Sequence, residues 1–349
     1  MTLRGTPAGT CFKWTAWTKL AGLALAATLS WSAHAADPIK LRFASWTSDT
    51  EETLLTVFKP FAEAVNKDSG GAVQVDIFPN GALGRNPLQQ AQMVLDGVAD
   101  FAWVVPSFTP GRFPEAEAFE LPGMFRDLRE ATMVFTRLTL AGKIKSFNQF
   151  IPVGTVCTAP YSIHTRMPVN KLSDLKGLKI RTGGALEADT LRALGAVPIG
   201  MATTEVTEAA ARGTIDGTTG HMSALNDFGI NRVLHNHYFI TLGPIPVTIL
   251  MSRAKFNTLP KVAQDAIMKN SGMAIAKMFS DSITAYNDKL LKELAADPKN
   301  KLIEPSQADI AAAQPAFDSV INAWAAKSPE NKQLLADVRA EIAAVRAGK

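Results

Sequence analysis

The sequence is poor in cysteine, in charged residues and in the short motifs that mark common enzymes. Only two of its 349 residues are cysteines, so no network of disulfides can hold the fold together. Charged residues make up 19% and hydrophobic residues 47%, which indicates a globular chain with a large core rather than a disordered one. G-x-S-x-G, Walker A, G-x-G-x-x-G and H-E-x-x-H motifs are all missing, which lowers the expectation of an enzyme.

The first 36 residues have the pattern of an export signal. Three basic residues precede the apolar run LAGLALAATLSW (residues 20–31), which is shorter than the ~20 apolar residues that span a bilayer. Small residues then form an A-x-A pattern, and we predict cleavage after Ala35. Removal of the signal lowers the formal charge from +4 to +1, and no basic patch points to nucleic acid. We therefore expect an exported protein that does not bind nucleic acid.

Cleavage would remove Cys11 and leave Cys157 without a partner inside the chain. An exported protein of this size without disulfides must rely on its hydrophobic core for stability. We expect Cys157 to be a small buried hydrophobic residue rather than a nucleophile.

Strands alternate with helices over two stretches of the chain. In the first stretch, residues 39–45, 73–77 and 101–105 have the pattern of strands, and 88–95 that of a helix. In the second, strands are predicted at 178–181, 197–200 and 214–218, and helices at 185–194 and 204–212. This alternation predicts an α/β fold whose sheets are mostly parallel.

The pattern is helical from Thr258 to the end of the chain. Thr258 is predicted to cap a helix whose apolar stripe continues to about Ala296, a length on the order of 50 Å. Gly272 is the weak point of this helix, which is long enough to bridge two lobes. Ser306 and Asp309 resemble a capping box, and Ser328 precedes the predicted last helix.

Arg181 lies where a predicted strand ends and a helix begins, in GLKIRTGGALE (residues 177–187). In open α/β sheets, ligands bind beyond the carboxyl ends of the strands. The glycine pair lets the backbone approach closely, and the following helix start favours an anion. Because the guanidinium fork matches a carboxylate, Arg181 is a candidate carboxylate anchor. A solvated arginine at a strand end is the alternative.

Histidine and aromatic residues supply further candidates. His221 follows a predicted strand end and is a candidate pocket residue. His235 and His237 have no carboxylate or cysteine cluster nearby, so we predict a polar loop there rather than a metal site. Four aromatic residues lie in or after predicted strands, and they form either an ordinary core or an apolar wall for a ligand: Trp46, Trp103, Phe108 and Tyr161.

Four segments together resemble the solute-binding proteins of TRAP transporters (tripartite ATP-independent periplasmic transporters, the DctP-like family). They are FPNGALG (78–84) with VLDGVADF (94–101), FPEAEAFELP (113–122), LKGLKIR (175–181) and AAARGTIDG (209–217). Each segment is weak alone, but their order and spacing make the combination specific. The resemblance covers about residues 37–349.

The resemblance implies an α/β, two-lobed, periplasmic-binding-protein-like fold, with mixed sheets flanked by helices and a long helix bridging both lobes. Residues 36–158 would form lobe 1, completed by about 246–285, and residues 159–245 would form lobe 2, completed by about 286–349. Such a protein captures an organic acid in the periplasm and delivers it to membrane permease subunits driven by a sodium gradient. We expect a monomer that is not an enzyme and that uses no cofactor or metal.

The resemblance also implies which residues bind the ligand. Arg181 matches the arginine that pairs with the ligand carboxylate in the family. The other matching positions are Trp46, Val104, Val105, Phe108, Tyr161, Gly184, Thr203, Thr219 and Gly220, with His221 adjacent. Sialic-acid-binding members have a second arginine where this chain has Tyr161. Because a second charged or polyhydroxylated group would find few partners here, we predict a monocarboxylate with an apolar or aromatic body.

Three alternatives stay open. Arg85 or Arg112 could supply a second cation for a C4-dicarboxylate. A sensor module would hold the same ligand but pass it to a receptor. A secreted hydrolase or isomerase could use His221 with Asp216, although no nucleophile motif supports this function.

Overall fold

The computed structural model describes residues 37–349. The predicted export signal and its cleavage site after Ala35 lie outside these residues. The strands are β1 (Ile39–Ala44), β2 (Val73–Phe78), β3 (Phe101–Val104), β4 (Phe150–Cys157), β5 (Ser162–Thr165), β6 (Lys179–Thr182), β7 (Val197–Gly200), β8 (Gly217–Gly220), β9 (Asn236–Tyr238), β10 (Pro246–Ser252) and β11 (Lys301–Ile303). The helices are α1 (Lys59–Asp68), α2 (Gln90–Leu95), α3 (Leu128–Leu140), α4 (Ala185–Ala193), α5 (Val206–Ala211), α6 (Met222–Asp227), α7 (Arg253–Thr258), α8 (Lys261–Lys269), α9 (Met273–Ala296), α10 (Gln307–Ala325) and α11 (Pro329–Arg346).

The strands form two mixed sheets, which confirms the predicted fold class. The first sheet has the order β2-β1-β3-β10-β4, and the second has the order β11-β9-β5-β8-β6-β7. Strand β1 pairs in parallel with β2 and β3, whereas β10 is antiparallel to β3 and β4. In the second sheet, β6 is parallel to β7 and β8, and β5 is antiparallel to its neighbours. The antiparallel strands make the sheets less parallel than the β-α alternation alone predicts.

Strand β3 separates two hydrophobic clusters because successive side chains point to opposite faces of a sheet. Phe101 and Trp103 belong to the cluster that α1, α8 and α9 cover. Ala102 and Val104 belong to the cluster on the other face, under α2, α3 and α11. The strand is buried on both faces and is therefore almost entirely apolar, as its sequence predicts.

The helix predicted from Thr258 to about Ala296 is interrupted, and the break before α9 lies at Gly272, the weak point of its pattern. Thr258 ends the short helix α7 instead of capping a long one, and α8 ends at Lys269. Gly272 has φ 60° and ψ −116°, outside any helical conformation, and its N–H donates to the carbonyl of Val153 in β4 at 2.8 Å. This bond to the sheet replaces a helical one, so the chain restarts as α9.

Helix α9 nevertheless bridges the structures built around the two sheets. It has 24 residues and is about 36 Å long. It packs on α3 and β4 beside the first sheet and on α6 beside the second. Asn287 of α9 accepts hydrogen bonds through Oδ1 from the backbone N–H and the hydroxyl of Ser223, at 3.0 and 2.5 Å.

The two C-terminal helix starts and the state of Cys157 agree with the sequence predictions. The hydroxyl of Ser306 accepts from the N–H of Asp309 at 3.1 Å, and Asp309 in turn accepts from the Ser306 N–H. Ser328 caps α11 by accepting from the N–H of Asn331. Cys157 is fully buried in β4, where burial raises the pKa of its thiol well above the usual value. Within residues 37–349, no helix combines the length and the hydropathy needed to cross a bilayer.

Candidate functional site

A cavity of about 90 Å³ lies between the first sheet and the loops and helix that follow β8 in the second. It brings together six residues of the predicted set: Trp46, Val105, Phe108, Tyr161, Thr203 and His221. Trp46 follows β1, Val105 and Phe108 follow β3, and His221 follows β8. The cavity therefore forms where strand ends of both sheets meet, as expected for a ligand site in an α/β protein.

Aromatic rings form one wall of the cavity and connect its two sides. The rings of Trp46 and Phe228 are stacked, with centroids 6.0 Å apart and an interplanar angle of 17°. Trp46 also packs against Phe108 at 6.4 Å and donates its indole N–H to the carbonyl of Trp103 at 3.2 Å. The indole is thus held in one orientation, with its polar atom satisfied.

Arg181 is buried behind Thr203, at the end of β6. Its residue surface is only 2% exposed, and it does not itself line the cavity wall. Nε donates to the carbonyl of Met201 and Nη2 donates to the Thr203 hydroxyl, both at 2.9 Å. Burial lowers the pKa of Arg181 from its usual value, and the neighbouring Glu187 opposes that shift, so the guanidinium stays charged. Nη1 makes no hydrogen bond with any residue in the described part of the chain.

Glu187 occupies the start of α4, where the sequence predicts that an anion is favoured. Its Oε2 accepts from the N–H groups of Gly183 and Gly184 at 2.8 and 3.4 Å, and the Thr219 hydroxyl donates to Oε1. Burial raises the pKa of Glu187, whereas Arg181 and these two amides lower it. The anion at this helix start is therefore a side chain of the protein itself.

His221 and Tyr161 present neutral donors to the cavity, with ring centroids 5.5 Å apart. His221 Nδ1 accepts from the N–H of Ala224 at 3.4 Å, so the proton of the neutral ring is on Nε2. Burial lowers the pKa of His221 to about 4 and raises the pKa of the Tyr161 hydroxyl above its usual value. Both side chains are therefore neutral at pH 7 and can donate hydrogen bonds to a ligand.

An open groove of about 440 Å³ adjoins the cavity, and Phe108 borders both spaces. Ser107 lies on one side of the groove and the glycine pair 183–184 on the other. A Cβ atom at Gly183 would lie 2.9 Å from the Phe108 ring and 3.1 Å from Arg181 Nη2. The close approach of the two sides of the groove therefore depends on the missing side chain of Gly183.

The remaining predicted residues lie elsewhere. Val104 is in the core on the other face of β3. Thr219 is 2% exposed and bonds to Glu187, while Gly220 accepts through its carbonyl from His164 Nε2 at 3.2 Å. Gly184 lines the groove rather than the cavity. Thr219 and Gly184 thus contact the residues around Arg181 without facing the cavity.

Sequence reasoning missed several residues that line the cavity. Glu51, Asp227 and Phe228 are the most consequential, because two of them are acidic and the third stacks on Trp46. Glu51 lies five residues beyond Trp46 at the same sheet edge, and this short spacing is the only signal in the sequence that Glu51 lines the cavity. Asp227 and Phe228 come into place only because α6 turns back toward Trp46.

The other histidine and aspartate candidates have different roles. Asp216 accepts from the N–H of Lys179 at 2.8 Å and pairs with Arg166 at 3.8 Å, at the opposite end of β8 from His221. The polar loop predicted around His237 is wrong, because Asn236–Tyr238 is strand β9 and His237 Nδ1 lies 2.9 Å from Nδ1 of a buried His164. No group of three or more His, Cys, Asp or Glu residues suited to a metal ion occurs within 37–349.

Known proteins match this chain over most of its length. The family model described as "Bacterial extracellular solute-binding protein, family 7" matches residues 43–328. The crystal structure of a TRAP solute-binding protein from a marine metagenome, specific for aromatic acid ligands and solved with metahydroxyphenylacetate, is 26% identical in sequence. It has a TM-score of 0.83, and the match covers 87% of this chain and 98% of that one.

Two further matches come from named organisms. The C4-dicarboxylate-binding periplasmic protein DctP of Rhodobacter capsulatus is 26% identical over 245 residues, which cover 67% of this chain and 71% of that protein. A TRAP solute-binding protein from Rhodoferax ferrireducens T118, solved with copurified benzoate, has the same fold. It has a TM-score of 0.83 and 24% identity, covering 89% of this chain and all of that one. The chain therefore belongs to family 7 of the bacterial extracellular solute-binding proteins and is a solute-binding protein of the TRAP type.

Proposed function

We propose that this chain captures an organic acid by pairing the carboxylate of the acid with Arg181. The observation that carries the proposal is a guanidinium that is almost completely buried, with Nε and Nη2 fixed by Met201 and Thr203 and with Nη1 unpaired in the described residues. A buried cation is costly unless it is paired and hydrogen-bonded. Glu187 lies close, but its oxygens already accept from backbone amides and a hydroxyl.

The residues that line the cavity near Thr203 would complete the site. Tyr161 and His221 offer neutral donors, which can bind carboxylate oxygens without adding charge. Trp46, Val105 and Phe108 offer apolar surface to the rest of the ligand. These residues therefore favour a ligand with one carboxylate at one end and an apolar body.

The ligand we propose is a monocarboxylate with an apolar or aromatic body. No lysine or arginine lines the cavity in residues 37–349, and its charged side chains, Glu51 and Asp227, are acidic. Arg112 instead donates to Gln92 at 3.2 Å and lies over the rings of Phe113 and Phe150. The marine relative that binds aromatic acids supports the same choice.

Transport would follow from closure of two lobes over this acid in the periplasm. Lobe 1 would comprise residues 36–158 and about 246–285, and lobe 2 residues 159–245 and about 286–349, after loss of the signal at 1–35. The closed form, a monomer, would deliver the acid to the membrane permease subunits of a sodium-driven TRAP transporter. Ligand affinity would stabilise the closed form because the acid contacts both lobes only there.

A C4-dicarboxylate is the second candidate, since the Rhodobacter capsulatus relative is named for binding such acids. Two acidic side chains in the cavity would repel its second carboxylate.

A sensor would bind the same acid but pass it to a receptor. The neighbouring genes distinguish the two functions, because a transporter requires a small and a large membrane subunit.

Calorimetric titration of the mature chain, beginning at Ala36, tests the proposal after any retained ligand has been removed by unfolding and refolding. Benzoate and phenylacetate should bind measurably, and they should bind at least ten-fold more tightly than succinate or malate. At a concentration ~100 times the dissociation constant, the bound acid should also raise the stability of the folded state by about 2.7 kcal/mol. Tighter binding of succinate would discard the apolar monocarboxylate and favour the C4-dicarboxylate. If no acid binds, the proposed function fails.

A further inference from the structure

The cavity has an acidic end that the carboxylate anchor does not explain. Glu51, from the loop after β1, and Asp227, from the end of α6, both line it. Glu51 Oε2 accepts from the Thr47 hydroxyl at 3.0 Å. Asp227 Oδ1 accepts from the Tyr286 hydroxyl at 2.8 Å, whereas Oδ2 receives no hydrogen bond from residues 37–349. Acceptor capacity therefore faces the cavity at this end.

Aromatic rings connect Arg181 with the acidic end. The Phe108 ring and Arg181 Nη2 both lie next to the position that a Cβ atom of Gly183 would take, at 2.9 and 3.1 Å. Trp46 packs against Phe108 at 6.4 Å and stacks on Phe228, the residue that follows Asp227. The charge of Asp227 in turn acts on Glu51. A ligand anchored at Arg181 would therefore direct the other end of its body toward Glu51 and Asp227.

Burial has shifted both acidic groups toward their protonated forms. Burial raises the pKa of Glu51 to about 7, with Asp227 adding to the shift and hydrogen bonds from Thr53 and Thr47 opposing it. Burial also raises the pKa of Asp227, against the hydrogen bond from Tyr286. Near neutral pH the two groups therefore hold less than two full negative charges between them. Such a pair can accept a hydrogen bond from a neutral donor and can also return one from the protonated carboxyl group.

An entirely apolar ligand would desolvate these groups further and leave Asp227 Oδ2 without a donor, at the cost of an unmade hydrogen bond. A second carboxylate would be repelled. On the basis of the function proposed above, we propose that Glu51 and Asp227 determine ligand specificity by accepting a hydrogen bond from a hydroxyl group at the end of the acid remote from its carboxylate. The preferred ligands are then hydroxylated aromatic monocarboxylates.

Matched pairs of acids test this inference by calorimetric titration of the mature chain. The pairs are 3-hydroxybenzoate with 3-methoxybenzoate and 4-hydroxybenzoate with 4-methoxybenzoate, and benzoate is the parent acid. A methoxy group has the oxygen but no hydrogen to donate. In at least one pair the hydroxy acid should bind ten-fold or more tightly than both its methoxy analogue and benzoate.

Variants then assign the preference to the acidic end. Glu51→Leu should reduce the ratio of hydroxy to methoxy affinity to less than three-fold. Asp227→Leu also removes the acceptor oxygens and should reduce the ratio in the same direction, which keeps the test valid where the first variant folds poorly. Glu63 is a carboxylate on the exposed surface of α1, so Glu63→Gln is the matched control and should keep the full ratio. A ratio that stays the same in both variants overturns the inference. Binding of benzoate without any hydroxyl preference also overturns it but leaves the proposed function intact, whereas failure of every acid to bind overturns both.

Discussion

At the scale of single residues, the site depends on a close approach between two side chains that is possible only because Gly183 has no side chain. Gly183 has no Cβ, so the Phe108 ring and the Arg181 guanidinium can both lie close to the position that a Cβ atom would take. A Cβ contact of 2.9 Å is shorter than normal van der Waals distance, so any side chain here must push one partner away. Phe108 also separates the groove from the cavity, so its displacement would open the site.

We therefore expect Gly183→Ala to weaken binding of the acid at least ten-fold, because the added methyl group opposes the closed arrangement of Phe108 and Arg181. Stability without ligand should change little, since the open form can relieve the contact. Isothermal titration with the best-binding acid measures the first effect and urea unfolding the second. Gly200→Ala is the matched control, because Gly200 lines the same groove and an added methyl group there would meet no atom within 4 Å. Equal binding by the two variants would contradict the role of the close contact.

Residue chemistry made part of the site predictable. Arg181 could be selected as a candidate because strand, arginine and glycine pair follow one another in a short segment, and the family resemblance favoured it over a solvated arginine. The selection of Trp46, Phe108 and Tyr161 also followed from strand ends. Val104 was expected beside Val105, yet strand alternation turns it into the opposite core. Asp227 could not be identified, because its place depends on how α6 packs against Trp46 and α9, which no local pattern encodes.

At the scale of secondary structure, α9 is the element that joins the two sheet-based halves, and its start is set by one glycine. Apolar periodicity predicted helix on both sides of Gly272, because periodicity reports the buried face and not the continuity of the backbone. The break itself depends on the hydrogen bond from the Gly272 N–H to Val153, a contact between distant parts of the chain that periodicity does not report. Capping boxes such as Ser306 with Asp309 were predictable because they involve only neighbouring residues.

Gly272→Ala should therefore destabilise the fold by roughly 1–3 kcal/mol, because φ 60° with ψ −116° is a conformation that essentially only glycine adopts. The added methyl group would also lie 3.3 Å from Leu140, an exposed side chain that can move aside. Urea unfolding measures the change. Gly70→Ala, at a positive φ with open space around it, is the control and should cost less. A loss at Gly272 no greater than that at Gly70 would show that the break in the helix is not held by this residue.

At the scale of the whole molecule, two mixed sheets face each other across a cavity that residues from both sides complete. Trp46 stacks on Phe228, Asn287 ties α9 to Ser223, and an open groove adjoins the cavity at Phe108. The segment matches and the strand–helix alternation predicted this architecture, since both depend on order along the chain. The shape of the closed cavity could not be predicted, because it depends on the relative position of the two sides.

The measurement that tests the account most directly is the affinity of the mature chain for its best aromatic monocarboxylate with and without Arg181. Removing one partner of a buried charge pair costs on the order of 3–5 kcal/mol, so Arg181→Ala should weaken binding by at least 100-fold. Arg181→Lys should recover only part of that loss, because an ammonium cannot form the two parallel bonds of a guanidinium. Arg212→Ala, an exposed arginine on the outer surface, should bind like the unmodified chain. If folded Arg181→Ala binds the acid within three-fold of the unmodified chain, the carboxylate is anchored elsewhere and the central claim is wrong.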